Sequence, residues 1–151
     1  MVDVQTSAVI NRPRAEVAAY AGDPANAPQW YSNIKQVRVE TAPPLAVGSR
    51  MAFVAEFLGR TLEYTYEVVE LVPGRSLTMR TAQGPFPMQT QYTWDDAAGS
   101  AGGTRMTLRN TGTPSGFSKV AALVMGPMMR RAMTKDLARI KEILEGSTGA
   151  P

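Results

Sequence analysis

The chain has 151 residues, no cysteine, no histidine, and a net charge of +3 from 16 basic and 13 acidic side chains. A length of this kind suits one domain, which buries about 68–70% of its unfolded surface and has room for both a core and a cavity. The missing cysteines exclude disulfides, thiolate nucleophiles and zinc–thiolate sites, and the missing histidines remove the commonest metal ligand and the commonest general base near neutrality.

Val2, Val4, Thr6, Ala8 and Ile10 alternate with Asp3, Gln5 and Ser7, which predicts a first strand rather than an apolar leader, and so a cytoplasmic protein. Asn11-Arg12-Pro13 ends it. Pro13 suits a first helical turn, and a short helix over 15–21 follows, with Val17 and Tyr20 as its inward pair. A second short helical segment over 23–31 carries Trp30, large enough to plug the gap between helix and sheet. Val37 and Val39 come next, and after Pro43-Pro44 the longer strands begin.

In those strands one parity is apolar or aromatic: Met51, Phe53, Ala55 and Phe57, then Leu62, Tyr64, Tyr66 and Val68, then Leu77, Met79 and Thr81. Met88, Thr90, Tyr92 and Trp94 continue the pattern, as do Met106, Leu108 and Asn110. The opposite parity is polar, including Glu56, Glu63, Glu67, Arg80, Arg105 and Arg109, so one face is wet and one covered, as in antiparallel sheets. Connectors at Leu58-Gly59-Arg60, Pro73-Gly74-Arg75, Gly84-Pro85 and 98–103 predict hairpins.

Ser115 to Glu145 reads as one long helix broken at Gly126-Pro127, because an interior proline removes a backbone hydrogen bond, clashes with the carbonyl four residues back and costs about 3 kcal/mol. Its second half carries one buried stripe, Met129, Met133, Leu137, Ile140 and Leu144. Its first half carries another, Phe117, Ala121, Val124 and Met128, roughly 150° away at about 100° per residue. A bend at Pro127 is therefore expected. The apolar stretch 120–129 is too short to cross a bilayer, so no transmembrane segment is expected. Arg130, Arg131, Lys135, Arg139 and Lys141 are countered by Asp136, Glu142 and Glu145 without interleaved aromatics, which reads as a solvated face and not a nucleic-acid surface.

The order strand, two short helices, six strands, long helix resembles the START/Bet v 1-like superfamily, in particular its bacterial polyketide cyclase/dehydrase-like branch. Asn11-Arg12-Pro13 with Val17, Asp23-Pro24 leading to Trp30, the run Gly103 to Thr107, and the run Asp136 to Lys141 carry the likeness. It covers nearly the whole chain. The expected class is α+β with a helix-grip fold: a seven-stranded antiparallel sheet wrapped around the C-terminal helix, over residues 1–146, with 147–151 a loose tail. The resemblance implies a deep cavity between sheet and helix that takes lipids, polyketides, isoprenoids or similar hydrophobic compounds, and some members cyclise or dehydrate polyketide chains. No histidine- or lysine-based site known elsewhere in the superfamily carries over.

The residues agree with a cavity. Apart from Met1, every methionine lies on the inward strand parity (Met51, Met79, Met88, Met106) or in the long helix (Met125, Met128, Met129, Met133), and methionine adapts to irregular spaces. Facing Tyr64, Tyr66, Tyr92 and Trp94, and joined by Phe53 and Val124, this cluster reads as a pocket wall, whose placed polar groups would be the tyrosines with Thr81, Thr90 and Asn110. Asn110 either meets a ligand carbonyl or hydroxyl, or caps the loop 111–115 or the helix beyond it. The loops 84–87 and 111–116 have the composition of lids.

Three functions fit: a cofactor-independent binder of a hydrophobic small molecule; a cyclase or dehydratase acting on a poly-β-ketone, with Tyr64, Tyr66, Tyr92 and Asn110 orienting or protonating; and an interaction module docking through 120–129. The outward parity of Glu56, Glu63 and Glu67 disfavours a paired-acid site, and no phosphate loop, nucleophile elbow or metal spacing is present, so neither metal nor cofactor is expected. A monomer or weak homodimer is the expected state.

Overall fold

The computed structural model describes residues 2–57, 59–97, 99, 102–113 and 119–146, the last segment with side chains from 123 onward. Leu58, Ala98, the helix start at Ser115 with Phe117, the side chain of Ala121, and the tail 147–151 lie outside the described residues.

Each period-two segment forms a strand: β1 (Val2–Ile10), β2 (Ile34–Val39), β3 (Arg50–Phe57), β4 (Arg60–Val72), β5 (Ser76–Gln83), β6 (Met88–Asp96) and β7 (Thr104–Gly112). They make one antiparallel sheet in the order β1-β7-β6-β5-β4-β3-β2, so only the pairing of β1 with β7 joins distant parts of the chain. Register shifts at Thr65/Tyr66 and at Val68/Glu70 interrupt the β4–β5 ladder, and such bulges bend a strand and increase its twist. Gly74 closes the β4–β5 turn at φ +74°, a left-handed conformation that costs glycine nothing.

Between β1 and β2 run α1 (Arg14–Ala21), a 3-10 turn (Pro24–Asn26) and α2 (Ala27–Trp30). The Asp23 carboxylate accepts the Ala25 N–H at 3.0 Å and so starts the turn. Val17, Ala18 and Ala21 are the buried face of α1. Tyr20, expected inward, is only half buried, because its hydroxyl is held at the surface by donation to Gln29 Oε1 at 2.7 Å. Trp30 is fully buried, stacked at 4.0 Å on Tyr31, as its size predicts.

The C-terminal helix α3 (Lys119–Gly146) departs from expectation. It runs through Pro127 without a break. The hydrogen bond to the Leu123 carbonyl that a proline there removes lies where both residues face solvent, so water can replace it. Among the described residues the second expected stripe is not buried. Met125, four residues before Met129, extends the stripe of Met133, Leu137, Ile140 and Leu144, while Val124 and Met128 are exposed.

Along its length α3 lies beside β1. Arg130 Nη1 donates to Gln5 O at 2.9 Å, Lys141 Nζ to Val9 O at 2.8 Å, and Glu145 accepts the Asn11 N–H at 2.9 Å. The start of the sheet is locked too: Thr104, fully buried in β7, donates its hydroxyl to Arg12 O at 2.7 Å. Replacing it with the isosteric valine leaves that carbonyl without its partner. Thr104→Val should therefore lose about 1–2 kcal/mol in urea unfolding, whereas an unchanged midpoint would show that water replaces the bond. No helix among the described residues is long and apolar enough to cross a membrane.

Candidate functional site

Inward parity supplies a continuous concave face, but two different layers cover it. At one end Trp94 lies beneath α1: its Cη2 is 3.6 Å from where a Cβ on Gly22 would stand, and Met51 and Met106 are wholly buried. These three residues, with the expected pocket parity, are packed in the core and are not among those lining the cavity at the other end. At the other end the sheet and α3 separate around a cavity of about 140 Å³.

Its sheet wall comes from Phe53 on β3, Tyr64 and Tyr66 on β4, Met79 on β5, Met88, Thr90 and Tyr92 on β6, and Asn110 on β7, all expected from the sequence. Thr81 is drawn away from it: its hydroxyl donates to Met88 O at 3.0 Å and accepts the Met88 N–H at 2.8 Å, pinning the β5–β6 connection. From α3 the wall is built by Met125, Met129 and Met133, not by Val124 and Met128, which the continuous helix turns outward. Phe86 of the connection between β5 and β6 also lines the cavity, as do Thr111 and Gly112, which the structure places at the end of β7.

A volume of about 140 Å³ is close to the roughly 150 Å³ apolar cavity that admits benzene in a well-studied case. The walls are mostly aromatic and thioether groups. Phe53, Tyr64 and Tyr66 form a cluster with ring centroids 5.0–5.9 Å apart, a stiff side, while the methionines opposite can change rotamer and admit something larger.

Three polar arrangements interrupt the apolar lining. The Thr90 hydroxyl donates to Asn110 Oδ1 at 2.7 Å; its single proton being used there, it accepts from the Tyr66 hydroxyl at 2.8 Å. Asn110 is thus tied within the sheet through its carbonyl. Tyr31 and Tyr92 share a hydrogen bond of 2.8 Å between hydroxyls. Asp136, on α3 and nearly inaccessible, accepts the Ser32 N–H at 2.9 Å.

Tyr31 and Asp136 were not singled out in the sequence. Asp136, expected from its charge on the solvated face, sits seven residues after Met129 and four before Ile140, on the buried stripe itself. A carboxylate in an apolar stripe is the signal that finds it. Tyr31 follows Trp30 at the end of α2 and carries no periodic signature at all.

Burial sets the protonation of these groups. Desolvation raises Tyr66 to about 12 and raises Tyr92 further. Tyr31 and Tyr64 are pushed well above the usual phenol range by the same cause, with neighbouring hydroxyls adding to it. At neutral pH all four are hydrogen-bond donors and none is a base. Desolvation also raises Asp136, to about 6, although the Ser32 bond pulls the other way. Among the cavity-lining residues it is the group that exchanges a proton near neutrality. Among the described residues no three acidic side chains converge to hold a metal.

A family model described as polyketide cyclase / dehydrase and lipid transport matches residues 1–145. The chain belongs to the polyketide cyclase/dehydrase and lipid transport family. No curated protein sequence matches it. Solved structures similar to this family member include a protein from Thermus thermophilus, at TM-score 0.80 and 16% identity over 97% of this chain and 99% of that one. An aromatase/cyclase from Streptomyces sp. R1128 superposes at TM-score 0.75 and 12% identity, covering 95% and 93% of the two chains. A START superfamily protein from Mycobacterium smegmatis gives 0.69 and 16%, covering 96% and 95%. At such identities they establish the fold alone. The family member keeps the START-like helix grip that its residue order resembled, and its family supports a role in hydrophobic ligand binding or cyclisation.

Proposed function

We propose that this protein binds a small hydrophobic molecule, of lipid, polyketide, isoprenoid or similar character, in the cavity between sheet and α3. The observation that carries the reading is the cavity lining itself: a rigid aromatic wall, an adaptable methionine wall, and polar groups of which Tyr31, Tyr66, Thr90, Tyr92 and Asn110 are already hydrogen-bonded to one another. Such a surface rewards apolar area and discriminates by a small number of donors. Native mass spectrometry after exposure to a lipid and metabolite extract should show one or a few discrete adducts. Met88→Trp should fill the space, remove those adducts and lower octan-1-ol affinity at least about tenfold while the fold persists. A bare parent protein, or unchanged affinity in the variant, would sink this placement.

A second reading, polyketide cyclase or dehydratase, is favoured by one observation. Asp136 titrates near neutrality beside the Tyr31–Tyr92 hydroxyl pair. An enolisable carbonyl bound there would meet a carboxylate able to take a proton and phenols able to hydrogen-bond the developing enolate oxygen. Turnover of a poly-β-ketone analogue, lost in Asp136→Asn and reduced in Tyr92→Phe, would support it; binding without turnover would leave the first reading alone.

A further inference from the structure

On the outer side of the wall formed by Tyr31 and Asp136 lies a second concavity, a cleft between the α2–β2 junction and α3. Tyr31, Ile34 and Asp136 line both spaces, so one layer of side chains separates the cleft from the cavity. Lys35 approaches the cleft from β2, and Lys135 and Arg139 approach from α3, four residues apart and hence on one helical face.

Their charge is less balanced than the sequence suggests. Of the three acidic residues that seemed to counter α3, Glu145 is engaged by Lys141 and the Asn11 N–H at the far end of the helix. Glu142 reaches Arg139 only through an exposed contact of 3.6 Å. Asp136 is spent on the Ser32 N–H. Lys35 gives one donor to Ser32 O at 3.0 Å and keeps two. Three cations thus converge over a concave surface whose one carboxylate is turned to a backbone amide.

We propose that the outer cleft is an anion site that receives the acidic end of the ligand, an oxyanion carried on the apolar body that occupies the cavity. This rests on the hydrophobic-ligand reading and narrows it to amphiphiles. An oxyanion there would accept charge-assisted hydrogen bonds from Lys35, Lys135 and Arg139, which are about twice as strong as neutral ones. The chain would enter past Ile34 and Tyr31.

Three probes separate the parts: octan-1-ol, octane-1-sulfonate and inorganic sulfate. The sulfonate stays ionised from pH 5 to 8, so its own titration does not intrude. By calorimetry octane-1-sulfonate should bind at least about tenfold more tightly than octan-1-ol. The double substitution Lys135→Gln with Arg139→Gln, at exposed positions, should abolish that preference and leave the octan-1-ol affinity unchanged. Equal affinities in the parent protein, or a preference that survives the double substitution, would overturn the anion site and spare the cavity reading. Octane-1-sulfonate binding no tighter than inorganic sulfate would instead remove the chain's contribution, overturning the cavity reading and with it an amphiphile as ligand.

Discussion

Asp136→Asn should unfold at higher temperature than the parent at pH 8 and at the same temperature at pH 4. The Asp136 carboxyl is raised from 3.8 to about 6 in the folded protein by desolvation. Below pH 4 it is protonated both folded and unfolded, and contributes nothing. As pH rises through 4 to 6 the unfolded chain releases its proton while the folded one holds it, so stability falls, and above 6 the whole cost is in place. A shift of about two units corresponds to about 2–3 kcal/mol. Asparagine keeps the shape and an oxygen to accept the Ser32 N–H, so it removes the cost without opening a hole. For a domain of this size the gain at pH 8 is roughly 4–10 °C. Thermal unfolding at pH 4, 6 and 8 tests it. A variant destabilised equally at all three would mean that the charge is stabilised in the folded protein by Lys35, Lys135 or Arg139 of the neighbouring cleft. A stabilised variant that also lost turnover would identify the carboxylate as one retained for its proton and not for the fold.

The second large effect belongs to Trp94. Truncation to alanine should cost about 3–5 kcal/mol, since the ring is fully buried between β6 and α1. Trp94→Phe should cost less than about 1.5 kcal/mol, because the indole N–H is buried without a partner among the described residues, and removing it relieves an existing penalty. Octan-1-ol affinity should be the same in Trp94→Phe as in the parent. A clear loss would place the ring in the cavity wall, as its strand parity alone suggested.

Trp94 also shows where a sequence stops being informative about this kind of site. Alternation assigns a residue to a face of the sheet, and for Met51, Tyr66, Tyr92, Trp94 and Met106 that assignment holds in the structure. It does not say how far along the strand a residue lies, and here that distance separates packed core beneath α1 from open cavity beneath α3. Phe53, Tyr64, Met88 and Asn110 lie toward the cavity end, while Trp94 and Met106 lie toward the other. Val124 and Met128 failed for a different reason. An interior proline predicts a break, but the helix continues through Pro127 at a position where Leu123 and Pro127 both face solvent, and Val124 and Met128 point outward. Asp136 was legible and was overlooked: its phase matched the methionines, but its charge assigned it to the surface. Tyr31 depends on a turn geometry that no local pattern encodes.

The sheet is open, with β1 and β2 as its margins, and a strand margin with unpaired amides and carbonyls is a template for another chain. Arg130 and Lys141 do more than seat the helix: by occupying the carbonyls of Gln5 and Val9 they remove two acceptors from the free side of β1. The opposite margin is short, and Lys35 and Arg38 stand exposed along β2. Bulky positive charge therefore stands at both margins of the sheet, where it opposes the pairing of a further strand.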